Sequence, residues 1–306
     1  MQTKTLLALG LLLAAHSTQA EENILFIGNS FTFGYGSAVV YYRPDSVTDL
    51  NGTEKGGVPA LFEAFTEQAG LQYDVYLETE PGSGMDFHLD NRLATINRRG
   101  WDAVVMHGHS LLDQAKPGDP AKLISSAQAL SAALASSNPE VDIYLTATWS
   151  RADQIYPATG AWAGKPIEAM ARDVRSAFDA AARTATAVKA VIPVGEAWNR
   201  AMQTGVADAN PYDGIEFGKL DLWTWDHYHA SAAGYYLEAL TVFGMVTGRD
   251  PRSLGDSECA GFELGFSQQQ VHALQQVAFD ELAAAGHVEA VPFVLAQPVT
   301  AVRCLH

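Results

Sequence analysis

The stretch ILFIGNSFTFGYG, Ile24 to Gly36, runs from four apolar residues straight into Gly28-Asn29-Ser30 and then turns polar, aromatic and glycine-rich. A short, branched apolar run of this kind reads as a buried β-strand. Gly, Asn and Ser are ordinary turn residues, so Gly28-Asn29-Ser30 can be a plain strand-to-helix connection. The other reading is a nucleophile at the carboxyl edge of a parallel sheet, where ligand sites of open α/β folds lie. The rest of the chain decides between them.

Beyond Gly28, apolar runs alternate with helical patterns. Val58–Gly70 repeats apolar residues at helical spacing and ends on glycine, a natural stop. Leu71–Thr79, Trp101–His107, Val141–Thr148 and Val188–Gly195 read as four further strands. Phe87–Arg99, Asp119–Ser137, Pro166–Ala185 and Glu196–Gly205 read as helices between and after them. Such a β-α repeat predicts a three-layer α/β/α sandwich with a central, mostly parallel five-stranded sheet and right-handed crossovers. Two segments do not fit the repeat. Phe31–Gly57 is far longer than a βα connection requires, and loops of that length in a compact domain tend to be functional. Val206–Trp225 is similarly polar and aromatic, and leads into a helix for which Ser231 is a well-placed N-cap.

The chain has 306 residues. Lys4, the apolar run Leu6–Ala15 and the small residues Thr18 and Ala20 read as a secretory signal peptide over residues 1–20, too short in its apolar part to span a bilayer. The expectation is a secreted or periplasmic protein without a membrane anchor. Residues 21–306 are expected to form one domain with a C-terminal extension from about residue 250. The net charge of −16 argues against nucleic acid or anionic lipid as a partner. Cys259 and Cys304 are the only cysteines, and in an oxidising compartment an even pair most simply forms a disulfide.

Asp226 and His229 stand three residues apart in WDHYH, immediately before the Ser231 helix. Serine hydrolysis needs a base for the hydroxyl proton and an acid that fixes the imidazole tautomer. A carboxylate on the same tight turn can reach Nδ1 while Nε2 faces outward. Taken alone, an Asp-x-x-His is an ordinary turn. Taken in order, Gly28-Asn29-Ser30 after the first strand, PGSGMDFHLDNR after the second, Gly108-His109-Ser110 after the third and Asp226-x-x-His229 before the last large helix form a series. With these blocks the sequence resembles the SGNH (GDSL-type) hydrolases, in particular the divergent branch with GNSFT or GNSFS in place of GDSL. The resemblance covers Ile24 to about Gly248. It implies Ser30 as nucleophile, with its backbone N–H also donating to the oxyanion, and Asp226 and His229 as the rest of the triad. Gly82 aligns with the oxyanion glycine, and Gly84 is an alternative that the spacing permits.

The third block departs from the family, whose pattern there is Gly-x-Asn-Asp. Register puts Ser110 at the asparagine position, a hydroxyl in place of an amide; His107 or His109 could donate instead. Losing an oxyanion donor can cost roughly 10²–10³ in turnover. Asn29 replaces the family's aspartate without touching the chemical step and can make the same turn hydrogen bonds.

The function expected is hydrolysis of short-chain or acetyl esters on a small molecule or carbohydrate, with neither cofactor nor metal. Phe31 and Trp149 are candidate substrate contacts, and Tyr35, Tyr41, Tyr42, Trp162, Trp223 and Trp225 also fall in or near segments on the site face. Two alternatives compete. His107, His109, Asp226, His227 and His229 hold ligands of the kind zinc prefers, which would make a metal-dependent hydrolase. A non-catalytic carbohydrate-binding protein could keep the fold without the chemistry.

Overall fold

The computed structural model describes residues 21–156, 159–289 and 304; the signal-peptide reading falls on residues 1–20, outside the described residues. The first strand, β1 (Glu22–Gly28), has Ile24, Leu25, Phe26 and Ile27 all buried. Burial on both faces is what a near-continuous apolar run requires, and it places β1 in the interior of the sheet. It pairs in parallel with β3 (Tyr73–Thr79) on one side and β4 (Ala103–Met106) on the other. β5 (Asp142–Thr146) and β6 (Val188–Ile192) extend the β4 side, also in parallel.

The sheet has six strands, in the order β2-β3-β1-β4-β5-β6, where five were expected. The extra strand, β2 (Thr48–Asp49), lies inside the long connection and pairs with Tyr76 and Leu77 of β3. Two partly polar residues carry no periodicity, so only pairing with the edge of β3 defines this strand.

The helices follow the expected order. α1 (Gly57–Gln68) joins β1 to β3; α2 (Met85–Asn91) and α3 (Leu93–Ile96) join β3 to β4, broken at Arg92 where a single helix was expected. α4 (Ala121–Ser137) follows β4, and the short α5 (Ala152–Ile155) and α6 (Glu168–Thr184) follow β5. α7 (Val194–Gln203) follows β6 and α8 (Ala232–Thr247) follows the second irregular segment. Ser231 caps α8 as expected, its hydroxyl accepting from the Gly234 N–H. α9 (Cys259–Glu263) and α10 (Gln268–Ala284) are the last helices among the described residues.

The connection from β1 runs to one side of the sheet, to β3, and the chain then crosses back over β1 to β4 and steps outward. Right-handed crossovers therefore put α1 on one face and α2, α4 and α6 on the other. α4 packs between α2 and α6, while α8 packs against α1, α7 and α10. The reversal of direction at β1 opens a crevice at the carboxyl end of that strand, and Gly28-Asn29-Ser30 stands in it. The disulfide expected from the cysteine count is present, joining Cys259 at the start of α9 to Cys304.

Candidate active site

The turn after β1 is built by glycine and asparagine. A Cβ on Gly28 would lie 2.1 Å from Thr32 Oγ1 and 2.5 Å from His107 Nε2, so only glycine lets the 2.8 Å Thr32–His107 hydrogen bond cross the strand end. Asn29 is buried and makes two kinds of contact. Its Oδ1 accepts from the Phe31 N–H at 3.1 Å, the expected local turn bond, while its Nδ2 donates to the carbonyls of Ser83 at 2.8 Å and Gly108 at 3.5 Å. One amide thus staples the first block to the second and third.

Ser30 Oγ lies 2.9 Å from His229 Nε2, and His229 Nδ1 lies 2.6 Å from Asp226 Oδ2. The carboxylate can only accept, so the ring proton is on Nδ1, and Nε2 presents its lone pair to the serine hydroxyl. The other carboxylate oxygen, Oδ1, accepts from the N–H groups of Tyr228 and His229 at 3.0 and 2.9 Å. His227 closes this turn in the left-handed region at φ 54°. The Thr224 N–H donates to the His229 carbonyl at 2.8 Å, which fixes the turn before the Ser231 cap. From α8, the Tyr235 hydroxyl reaches the carbonyls of Ser30 and Tyr35 at 3.3 and 3.1 Å.

Burial lowers the His229 pKa below the ordinary 6.5, and Asp226 only partly offsets it. Burial would raise Asp226, but the hydrogen bonds from the His229 ring and from two backbone N–H groups outweigh it and hold the carboxyl below its usual range.

The N–H groups of Ser30, Gly82 and Gly84 find no acceptor among the described residues. Gly82 sits at φ +69° with open space where a Cβ would stand, whereas at Gly84, the N-cap position of α2, a Cβ would lie 2.7 Å from Asp86 Oδ1 and 3.4 Å from the His109 backbone N. Both glycines line a cleft of about 300 Å³ with Glu80, Pro81, Phe87 and His109. Ser110 is buried, and its Oγ receives a hydrogen bond from Arg151 Nη1 at 3.1 Å.

Phe31 and Trp149, read as substrate contacts, are buried instead. Phe31 stacks on Trp149 at 4.0 Å, and Trp149 stacks on Trp198 at 4.7 Å. Phe31 also meets His229 edge-on at 5.6 Å, so the stack supports the histidine from beneath and leaves no face for a ligand. Of the other rings read on the site face, Tyr35 (47%), Tyr41 (74%) and Trp225 (75%) are exposed. Together with Phe33, Lys55 and Pro81 they line a groove of about 600 Å³. Tyr35 lies 4.7 Å from the His229 ring, so one wall of the groove packs against the histidine.

The histidines of the metal alternative do not converge. His107 donates from Nδ1 to the Gly108 carbonyl and accepts the Thr32 hydroxyl at Nε2; burial lowers its pKa to about 4. Its nitrogens are both engaged, which also removes it as an oxyanion donor. His109 Nδ1 accepts from the Leu111 N–H, and His227 packs on Tyr212. Among the described residues no three His, Cys, Asp or Glu side chains come together as a metal site.

Sequence reasoning missed Arg151 and Tyr235. Tyr235 reads as one more apolar position of α8. Arg151 had a faint signal, a charged residue in the Trp149-Ser150-Arg151 segment just past the carboxyl end of β5.

No protein-family model matches this chain, and no curated protein matches it. Solved structures do. A DUF4886 family protein from Bacteroides uniformis is similar at 17% identity and TM-score 0.62, over 88% of this chain and 98% of its own. A protein named as a GDSL-like lipase from Parabacteroides merdae is similar at 16% identity and TM-score 0.54, over 74% and 96%. An α/β hydrolase enzyme from the metagenome of Lake Arreo, Spain, is similar at 15% identity and TM-score 0.50, over 74% and 94%. At such identities the likeness establishes a shared fold, the three-layer α/β/α sandwich with a central parallel sheet.

Proposed function

We propose that this protein is an exported serine esterase that hydrolyses short-chain or acetyl esters through Ser30, His229 and Asp226. The observation that carries the reading is the hydrogen-bonded chain from Ser30 Oγ through His229 to Asp226, with the tautomer that leaves Nε2 free to take a proton. Ser30 Oγ attacks the acyl carbonyl and its proton passes to Nε2; the imidazolium is stabilised by Asp226. The oxyanion takes hydrogen bonds from the N–H of Ser30, from Gly82 (or Gly84) and from Ser110. Collapse of this intermediate expels the alcohol, protonated by His229. Water, deprotonated by the same ring, then releases the acid and restores the serine.

Two fold neighbours are named for hydrolase chemistry, which agrees with this reading. Export rests on the signal-peptide reading of residues 1–20, and no helix among the described residues is long and apolar enough to cross a membrane. The groove of Tyr35, Tyr41 and Trp225 suits the ring of an alcohol partner, with an acetylated sugar the best fit to exposed aromatic faces.

The test is a p-nitrophenyl ester series with an active-site phosphonate. Ser30→Ala is expected to abolish turnover without unfolding, and the phosphonate to label Ser30 in the parent. Exhaustive chelation is expected to leave the rate unchanged. Labelling at another serine sinks the assignment, and loss of activity restored by zinc would revive the metal-dependent alternative.

A further inference from the structure

Resting on the serine-esterase reading, we propose that Arg151 is a positioning residue that makes Ser110 a competent third oxyanion donor, the Ser110–Arg151 pair standing in for the single asparagine amide expected at that position. Arg151 is only 8% exposed, and a buried guanidinium has to be paired. Its Nε and Nη2 grip the Asp153 carboxylate at 3.0 and 2.7 Å, a bidentate fork. The remaining arm, Nη1, donates to Ser110 Oγ at 3.1 Å.

The direction of that bond matters. Arginine has no acceptor and does not deprotonate, so Ser110 Oγ must accept and its own proton must point elsewhere. No group among the described residues accepts that proton, so the buried hydroxyl keeps an unused donor. An asparagine amide carries its N–H in a fixed plane, whereas a serine hydroxyl rotates. The guanidinium removes that freedom and, being charged, polarises the O–H into a stronger donor.

The same residue ties the donor to the base. The guanidinium lies 3.4 Å over the Tyr228 ring, and that ring leans on His229 at 4.0 Å. The Asp153 N–H donates to the His227 carbonyl at 3.1 Å, inside the Asp226–His229 turn. Arg151 and Asp153 therefore span the distance from the Ser110 hydroxyl to the Asp226–His229 turn.

A double-mutant cycle tests this, with kcat and KM measured on a p-nitrophenyl acetate substrate. Ser110→Ala is expected to lower kcat by roughly 10²–10³ with little change in KM, the size of a lost oxyanion donor. Arg151→Met should lose as much, and the S110A/R151M double variant no more than either single. Ser110→Asn supplies its own fixed donor, so S110N/R151M should stay within about tenfold of S110N. Arg151→Lys, which keeps a charge beside Asp153, serves where Arg151→Met fails to fold. The proposal is overturned if Arg151 variants keep parental kcat, if their loss is the same in the S110N background, if the losses of S110A and R151M multiply, or if neither variant folds. An active Ser30→Ala would instead defeat the esterase reading as a whole, a separate outcome of the same assay.

Discussion

His229 is nearly buried between a carboxylate and a hydroxyl, and its proton affinity reflects each neighbour. Burial pushes the pKa down most, Asp226 pulls it back up, and the Arg151 charge pushes it down again, for a net value below 6.5. In the proposed mechanism His229 is the base and works only when neutral, so activity should be retained as pH falls until it passes through this lowered pKa. We expect the acid limb of kcat/KM for a p-nitrophenyl ester to have its midpoint below 6.5, because kcat/KM reports the free enzyme's base. A midpoint at or above the ordinary imidazole value would show that the limb belongs to another group. Asp226, held low by its hydrogen bonds, stays a carboxylate through that range. At this scale the sequence was informative for types and order, and Ser30, Asp226 and His229 meet at 2.9 and 2.6 Å. It gave only a faint signal for Arg151 and none for the burial of Phe31 and Trp149, since a ring beside a nucleophile reads the same whether it faces solvent or a second ring.

The long connection Phe31–Gly57 stands out among the elements. It forms a wall of the groove beside His229, through Phe33, Tyr35, Val40, Tyr41 and Lys55. It is also a structural part of the domain. Val39 is fully buried, β2 adds an edge strand, and Tyr42 and Arg43 hydrogen-bond to Glu263 on α9 at 2.6–3.0 Å. Excising the loop would therefore remove core as well as groove. The exposed rings of the groove, Tyr41 from this loop and Trp225 from the Val206–Trp225 segment, can be changed separately. Tyr41→Ala and Trp225→Ala should leave stability within about 0.5 kcal/mol, as expected of exposed side chains. Remote contacts nevertheless act on orientation and binding. Discrimination between acetyl esters of an aryl alcohol and of a sugar should shift by tenfold or more, about 1.4 kcal/mol. An unchanged profile in both variants, measured by competition between the two esters, would place the alcohol elsewhere.

At the scale of the whole molecule, the C-terminal helices are fastened to the site layer. α10 packs on α7 and α8, α9 packs on α1, and Glu263 at the end of α9 holds the groove loop through Tyr42 and Arg43. The disulfide from Cys259 fixes residue 304 to the same short helix across a sequence separation of 45. In the chain-entropy model a loop of that size contributes about 3–4.7 kcal/mol. Urea unfolding of Cys259→Ser/Cys304→Ser should show a loss of that order, while the folded variant keeps its turnover because no bond of the Ser30–His229–Asp226 chain passes through α9. A loss under about 1 kcal/mol would mean that the tail is already held without the bridge.

By itself the sequence determined the alternation of strands and helices, the parallel sheet, the turn after β1 and the pairing of the two cysteines. Those features are encoded locally, in apolar runs, turn residues, caps and a cysteine count. Only the tertiary structure decided the sixth strand, which exists because the edge of β3 is there to pair with Thr48 and Asp49. It also decided which aromatics are core and which line the groove, because burial depends on neighbours brought from Trp198 and His229. The same holds for the neighbours of Ser110. Arg151 reaches its hydroxyl from a loop 41 positions away, and no periodicity or spacing records a contact between the ends of two different strands.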